Sequence, residues 1–158
     1  MSAKEHRMTL LSPHELADCV LKAGFDNSPA RKTFGAGPDT AAVVMLATCL
    51  GESAARTFRG AGTEIMGRSN TGTHIGNWDH GVGQLSGVFQ AHRIRAHGGN
   101  WRDPYVNLEI CFEIFEDAGG TFKPWHIFTG GAYVETLPDA RIAIASPWPC
   151  PSIEWIKR

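Results

Sequence analysis

Asp79-His80-Gly81-Val82-Gly83-Gln84-Leu85-Ser86 is the stretch on which the reading of this chain turns. An acid precedes two glycines set one residue apart, and a glutamine follows them. Such a run has no helical period. It predicts a short strand entering and leaving a tight, glycine-rich turn. The character extends upstream: from Gly60 to Gly83, Gly, Asn and Thr dominate, and Asn70-Thr71-Gly72 is a second turn signal. A small strand-and-loop lobe is expected here.

Helical patterns flank the lobe on both sides. Ser12-Pro13-His14-Glu15 has the form of a helix start, with Ser12 as cap, Pro13 in the first turn and Glu15 completing a capping box. Leu16, Cys19, Val20 and Ala23 follow at helical spacing, and Gly24 ends the run. A loop rich in Gly, Pro, Asn and Ser spans Phe25 to Pro38. The second helix begins near Asp39 or Thr40. Val43, Leu46, Ala47 and Leu50 mark its stripe and Val44 and Met45 widen it, so this helix is expected at the centre. It ends in Leu50-Gly51-Glu52-Ser53.

Beyond the lobe, Ser86 is read as the cap of a third helix carrying Val88, Phe89 and Ala96 and stopped by Gly98-Gly99. Asp103-Pro104 opens a fourth, with Tyr105, Leu108, Cys111, Phe112 and Phe115 inward and Glu109, Glu113 and Glu116 outward. Pro124-Trp125 begins an aromatic segment to Tyr133. A last helix runs from Thr136 or Asp139 to Ala145, and Pro147-Trp148-Pro149-Cys150-Pro151 is excluded from regular helix by its prolines. The fold class expected is mainly α (α+β): one domain over 1–158, a helical body with a small hairpin lobe and a cleft between them.

Composition narrows the partners. With 158 residues the chain is long enough for one real core. A net charge of -1 implies no nucleic-acid or polyanion partner. No apolar run has transmembrane length, and Met1-Ser2-Ala3-Lys4-Glu5-His6-Arg7 carries no signal-peptide core. Cys19, Cys49 and Cys111 fall on helix stripes and, with Cys150, form no CxxC pair, so they are read as buried thiols and not as a disulfide framework.

Two acids separated by this pattern fit glycoside cleavage. One carboxylic acid must stay protonated to donate to the leaving oxygen, which an apolar setting favours. Glu52 follows a strongly apolar helix, and the negative helix end disfavours its ionised form by about 0.3–1 kcal/mol. A second carboxylate must stabilise positive charge at the anomeric carbon or activate water, and Asp79, beside glycines that admit a close ligand, is the candidate. The plainer alternatives are a solvated glutamate at a frayed helix end and a turn aspartate bonded to its own backbone; Glu64 is a rival second acid. Trp78, Trp101 and Trp125 are sugar-stacking platforms or core anchors. Asn107, read as exposed or intermediate on the fourth helix, is a candidate partner for a sugar acetamide.

Other chemistries find less. His74, His80, His92, His97 and His126 lack the spacing of a helical metal site, and no metal or cofactor is expected. There is no Gly-x-Ser-x-Gly elbow. A Cys–His hydrolase would need Cys49 or Cys111, both on stripes expected to be buried.

Taken together, Glu52-Ser53, Gly81-Val82-Gly83-Gln84-Leu85, Asp103-Pro104-Tyr105-Val106-Asn107, and Trp125 with Gly131 and Tyr133 resemble, in order, the motifs of the lysozyme-like superfamily. The nearest branch is that of soluble lytic transglycosylases and goose-type lysozymes, over about Ala41 to Ile144. The resemblance implies a peptidoglycan-cleaving enzyme with Glu52 as general acid/base. It also implies Gln84 on the cleft floor, Asn107 and Tyr133 supporting the site, and an acid at Asp79 that tilts the reaction toward hydrolysis. Two departures stand out: Ala54-Ala55-Arg56-Thr57 replaces the usual Asn-Pro, and Ala132-Tyr133-Val134-Glu135 replaces Tyr-Asn-Ala-Gly. A short chain of this kind looks like a bacteriophage lysin, released by a holin or carried on a virion tail, whose partner is the glycan strand of the bacterial wall. The alternatives are a transglycosylase leaving anhydro ends and an inactive virion or wall-binding protein.

Overall fold

The structure, a computed structural model, describes residues 11–27, 37–53, 75–77 and 79–150. The elements are α1 (Pro13–Ala23), α2 (Ala41–Ser53), β1 (Asp79–His80), β2 (Leu85–Ser86), α3 (Ala91–Ala96), α4 (Pro104–Asp117), α5 (His126–Thr129), a 3-10 turn (Ala132–Thr136) and α6 (Leu137–Ala145). Among the described residues the chain is mainly helical with a small antiparallel sheet, in which Asp79 faces Ser86 and His80 faces Leu85. Trp78, Glu64 and the Asn70-Thr71-Gly72 turn signal lie outside the described residues.

Helix α2 is the centre. Ala41 to Cys49 are all buried, and α1, α5, the 3-10 turn and α6 pack around them. Its adjacent Val43 and Val44 cost a few tenths of a kcal/mol each in helix propensity. Burying a side chain such as Met45 or Leu46 returns about 1.5–3 kcal/mol, so packing decides the helix. Thr136 ties the 3-10 turn to it by donating its hydroxyl to the Ala47 carbonyl at 2.6 Å.

Local start signals are realised as expected in α1 and α4. Ser12 Oγ accepts from the Glu15 amide and Glu15 Oε1 accepts from the Ser12 amide, both at 3.1 Å. Asp103 Oδ1 accepts from Tyr105 and Val106 N–H at 2.9 and 3.3 Å. The third helix departs from expectation. Ser86 Oγ does accept from the amide three residues on, Phe89, at 3.2 Å. That bond closes a turn, however, and α3 begins only at Ala91. Val88 and Phe89 are therefore exposed and not part of a buried stripe.

The cysteines require a second correction. Cys49 and Cys111 are free and buried, but Cys19 is bonded to Cys150. The prolines keep residues 146–150 out of helix, and the segment lies back along α1. Trp148 N–H donates to His14 O at 2.9 Å, the two side-chain rings stack at 4.7 Å, and Cys150 N–H donates to Asp18 Oδ2 at 2.7 Å. The stripe that buries Cys19 is thus also where the tail arrives.

The bridge spans 131 residues of chain, so closing it removes much unfolded-state freedom. Reduction, or Cys150→Ser, is expected to lower unfolding free energy by about 2–5 kcal/mol, read as a shift of the urea midpoint with and without reductant. An unchanged midpoint would show that the tail is held by its other contacts alone.

Candidate functional site

Glu52 sits in the last turn of α2, half-buried. The preceding Gly51 permits a close approach: a Cβ there would come within 2.8 Å of Ile127 Cγ2 on α5. The helix end that carries the acid therefore abuts the segment that carries His126.

Asp79 opens β1, and the four residues Gly81 to Gln84 connect β1 to β2. This connection is buried at Gly81, Val82 and Gly83, where exposed peptide groups would be costly. Side chains satisfy them. Asn107 Oδ1 accepts from Gly83 N–H at 3.0 Å, and its Nδ2 donates to His80 O at 3.0 Å and Trp101 O at 2.8 Å. Trp125 Nε1 donates to Gly83 O at 3.1 Å. Gln84 Nε2 and its own N–H both donate to Gly81 O, at 2.8 and 3.1 Å.

His80, fully buried, adds a further clamp. Its Nδ1 lies 3.0 Å from Leu85 O, a pure acceptor, so Nδ1 carries the proton; Nε2 then accepts from Gly76 N–H at 3.2 Å. The ring meets Trp101 edge-on at 4.9 Å.

The two glycines follow from this arrangement. Gly81 has φ +68, and a Cβ would stand 2.3 Å from Asn107 Nδ2. At Gly83 a Cβ would stand 2.2 Å from Cys111 Sγ. At these two positions the turn is pressed onto α4 too closely for a side chain.

Between α2, the hairpin and the segment around Trp125 lies a cavity of about 230 Å³. Glu52 and Asp79, remote in sequence, both line it, together with Gln84, Trp125, Phe89 and His126. Asp79 reaches solvent on one side, yet desolvation of its carboxyl raises it above the ordinary carboxylate range.

Other candidates fall elsewhere. Asn107 is fully buried and its amide is committed to the hairpin, so it holds the turn and is not available to a sugar acetamide. Its polar amide is what made it look exposed. Trp101 is wholly inside the core. Trp125 is both anchor and wall: almost fully buried, hydrogen-bonded to Gly83 and facing the cavity. Tyr133 packs on Phe128 at 4.8 Å and is not among the lining residues.

Cys49 and Cys111 lie below Glu52. Burial pushes both thiols well above their ordinary range, and the Glu52 charge adds to this. They remain protonated at neutral pH, the opposite of what a thiolate nucleophile needs. Among the described residues no group of His, Cys, Asp and Glu gathers as a metal site would require, and no helix is long and apolar enough to cross a membrane.

Phe89, Gln90 and His126 line the cavity without having been read as site residues. Phe89 was assigned to a helix stripe, and His126 was weighed only as a metal ligand. The signal was present in Ser86-Gly87, a turn dipeptide that argues against a helix starting there.

Two outcomes test this geometry. Asn107→Ala leaves Gly83 N–H and two carbonyls without their partner and should cost about 3 kcal/mol or more in urea unfolding; a loss below 1 kcal/mol, roughly one ordinary net hydrogen bond, would contradict the clamp. For Asp79 the raised carboxyl means the folded chain binds that proton more tightly than the unfolded chain. Stability from this group is present at low pH and is lost as pH rises through the folded value. Asp79→Asn should therefore raise Tm at pH 7, with the difference from wild type closing as pH falls below about 4, the unperturbed carboxylate value.

Comparisons with protein-family models, with curated proteins and with solved structures gave no match to this chain.

Proposed function

We propose that the chain is a peptidoglycan-cleaving glycosidase acting on the β-1,4 bond between N-acetylmuramic acid and N-acetylglucosamine. The observation that carries this reading is the shared cavity. Glu52, at a helix end, and Asp79, at a strand start, line one recess walled by Trp125 and Gln84. The motif order that resembles lysozyme-like and lytic transglycosylase enzymes supports the same assignment.

In this reading Glu52 gives its proton to the bridging oxygen as the C1–O bond breaks. Positive charge develops at the anomeric carbon, and the ionised Asp79 carboxylate stabilises it. Water then adds to C1 and its proton returns to Glu52. No cofactor takes part. The partner is the wall glycan, reached from a released lysin or from a phage particle; an inactive wall-binding or virion component is the reading to be excluded.

One observation favours a second route. Desolvation raises Asp79, so its ionised form is less available at a given pH than that of an ordinary aspartate. Where the substrate's own acetamide assists instead, the C6 hydroxyl of the same sugar attacks C1, Glu52 accepts its proton, and an anhydro end results.

Four measurements separate these readings. Glu52→Gln is expected to lower wall lysis by roughly a hundred- to ten-thousandfold while wall binding persists. Mass spectrometry of wild-type products should show reducing ends for hydrolysis and anhydro ends for the second route. If Asp79 acts ionised, the acid limb of kcat/KM lies above the usual carboxylate range and Asp79→Asn abolishes it; undiminished turnover in that variant assigns the substrate-assisted route. Wild-type binding without clearing on a wall zymogram would refute the enzyme.

A further inference from the structure

We infer that Phe89 is the stacking platform of a second sugar subsite, next to the bond that Glu52 and Asp79 are proposed to address; the inference rests on that proposed site. Phe89 is 75 % exposed, and its neighbour Val88 is 60 % exposed. Core packing does not explain an aromatic ring in water, since exposing one forgoes the free energy of its burial. Yet Phe89 also lines the cavity that holds the two acids. Its position is held on a pinned turn. Phe89 N–H donates to Ser86 Oγ at 3.2 Å and Gln90 N–H donates to Ser86 O at 2.8 Å, so the turn is tied to Ser86, the strand partner of Asp79. The ring is thus presented by the same hairpin that presents the acid.

Size and chemistry indicate the occupant. A recess of about 230 Å³ is smaller than the roughly 300–1,000 Å³ of ordinary ligand pockets, so the proposed glycan strand would continue out of it. At the rim it meets a phenyl face, with Gln90 and His126 beside the opening. Gln90 Oε1 is turned inward: it is a buried atom with no hydrogen-bond partner among the described residues. An apolar plate flanked by an amide and an imidazole matches a pyranose, whose ring C–H face is apolar and whose edge carries hydroxyl and acetamide donors. A second copy of the chain would bury the plate but leave the polar rim unmatched.

The test uses the full chain with Glu52→Gln, titrated by calorimetry with the N-acetylglucosamine disaccharide and with a long N-acetylglucosamine oligomer. Adding Phe89→Ala should weaken the long oligomer about tenfold, a change of 1.4 kcal/mol, and the disaccharide far less, with Tm unaltered. Phe89→Trp should restore long-oligomer affinity and add to the parent's ligand-dependent tryptophan emission change, which Trp125 in the cavity wall already supplies. Equal affinities with and without Phe89→Ala, equal weakening of both ligands, or a change of oligomeric state alone would overturn the subsite. If the parent binds glycan and Phe89→Ala weakens it while wild type cleaves nothing, the cleavage reading fails and the subsite stands. A parent that binds no glycan refutes both.

Discussion

One amide governs this structure. Asn107 reaches from the first turns of α4 to the hairpin and spends its side-chain bonds on three backbone groups: Gly83 N–H, His80 O and Trp101 O. A two-residue strand pair has too few ladder bonds to persist alone. It holds because a helix side chain replaces the missing ladder, while Trp125 takes the Gly83 carbonyl and His80 joins Leu85 to Gly76. Each clamp is buried, where an unmade bond costs more than a made one contributes.

The cavity is a consequence of that pinning. Asp79 enters the hairpin one residue before His80, so fixing His80 fixes the direction from which the acid approaches. Glu52 comes from the opposite side, at the end of a helix whose own position is set by apolar burial. An aromatic chain from Phe25 through Phe122 to Trp125 backs the wall between them. Apolar packing places one acid, and a hydrogen-bond clamp places the other. Desolvation raises the Asp79 carboxyl on the hairpin, and the Glu52 charge at the helix end helps hold the Cys49 and Cys111 thiols above their ordinary range.

Much of this was legible in the linear chain where the cause is local. Ser12 and Glu15 cap α1, Asp103 and Pro104 start α4, and the apolar run over Val43 to Leu50 declares a central helix, because each signal acts within a few residues. Ser86 shows where locality ends. Its cap-like bond to Phe89 forms as expected, yet the chain turns instead of winding, since Leu85 is held in the strand by His80. Asn107 was misjudged for the same reason: an amide's burial depends on partners in distant segments, and nothing within α4 names them. The Cys19–Cys150 bridge likewise depends on where a proline-held tail lands.

The sequence by itself determined α1, α2, α4 and α6, the caps of α1 and α4, the glycine turn and the candidacy of Glu52 and Asp79, since periodicity, capping and turn chemistry operate over one or two turns of chain. Tertiary structure alone decided that the two acids share a recess, that Asn107 serves the backbone, and that Phe89 stands in water at its rim. Those outcomes rest on burial and on hydrogen bonds between segments far apart in the chain, and no local pattern encodes which segments will meet.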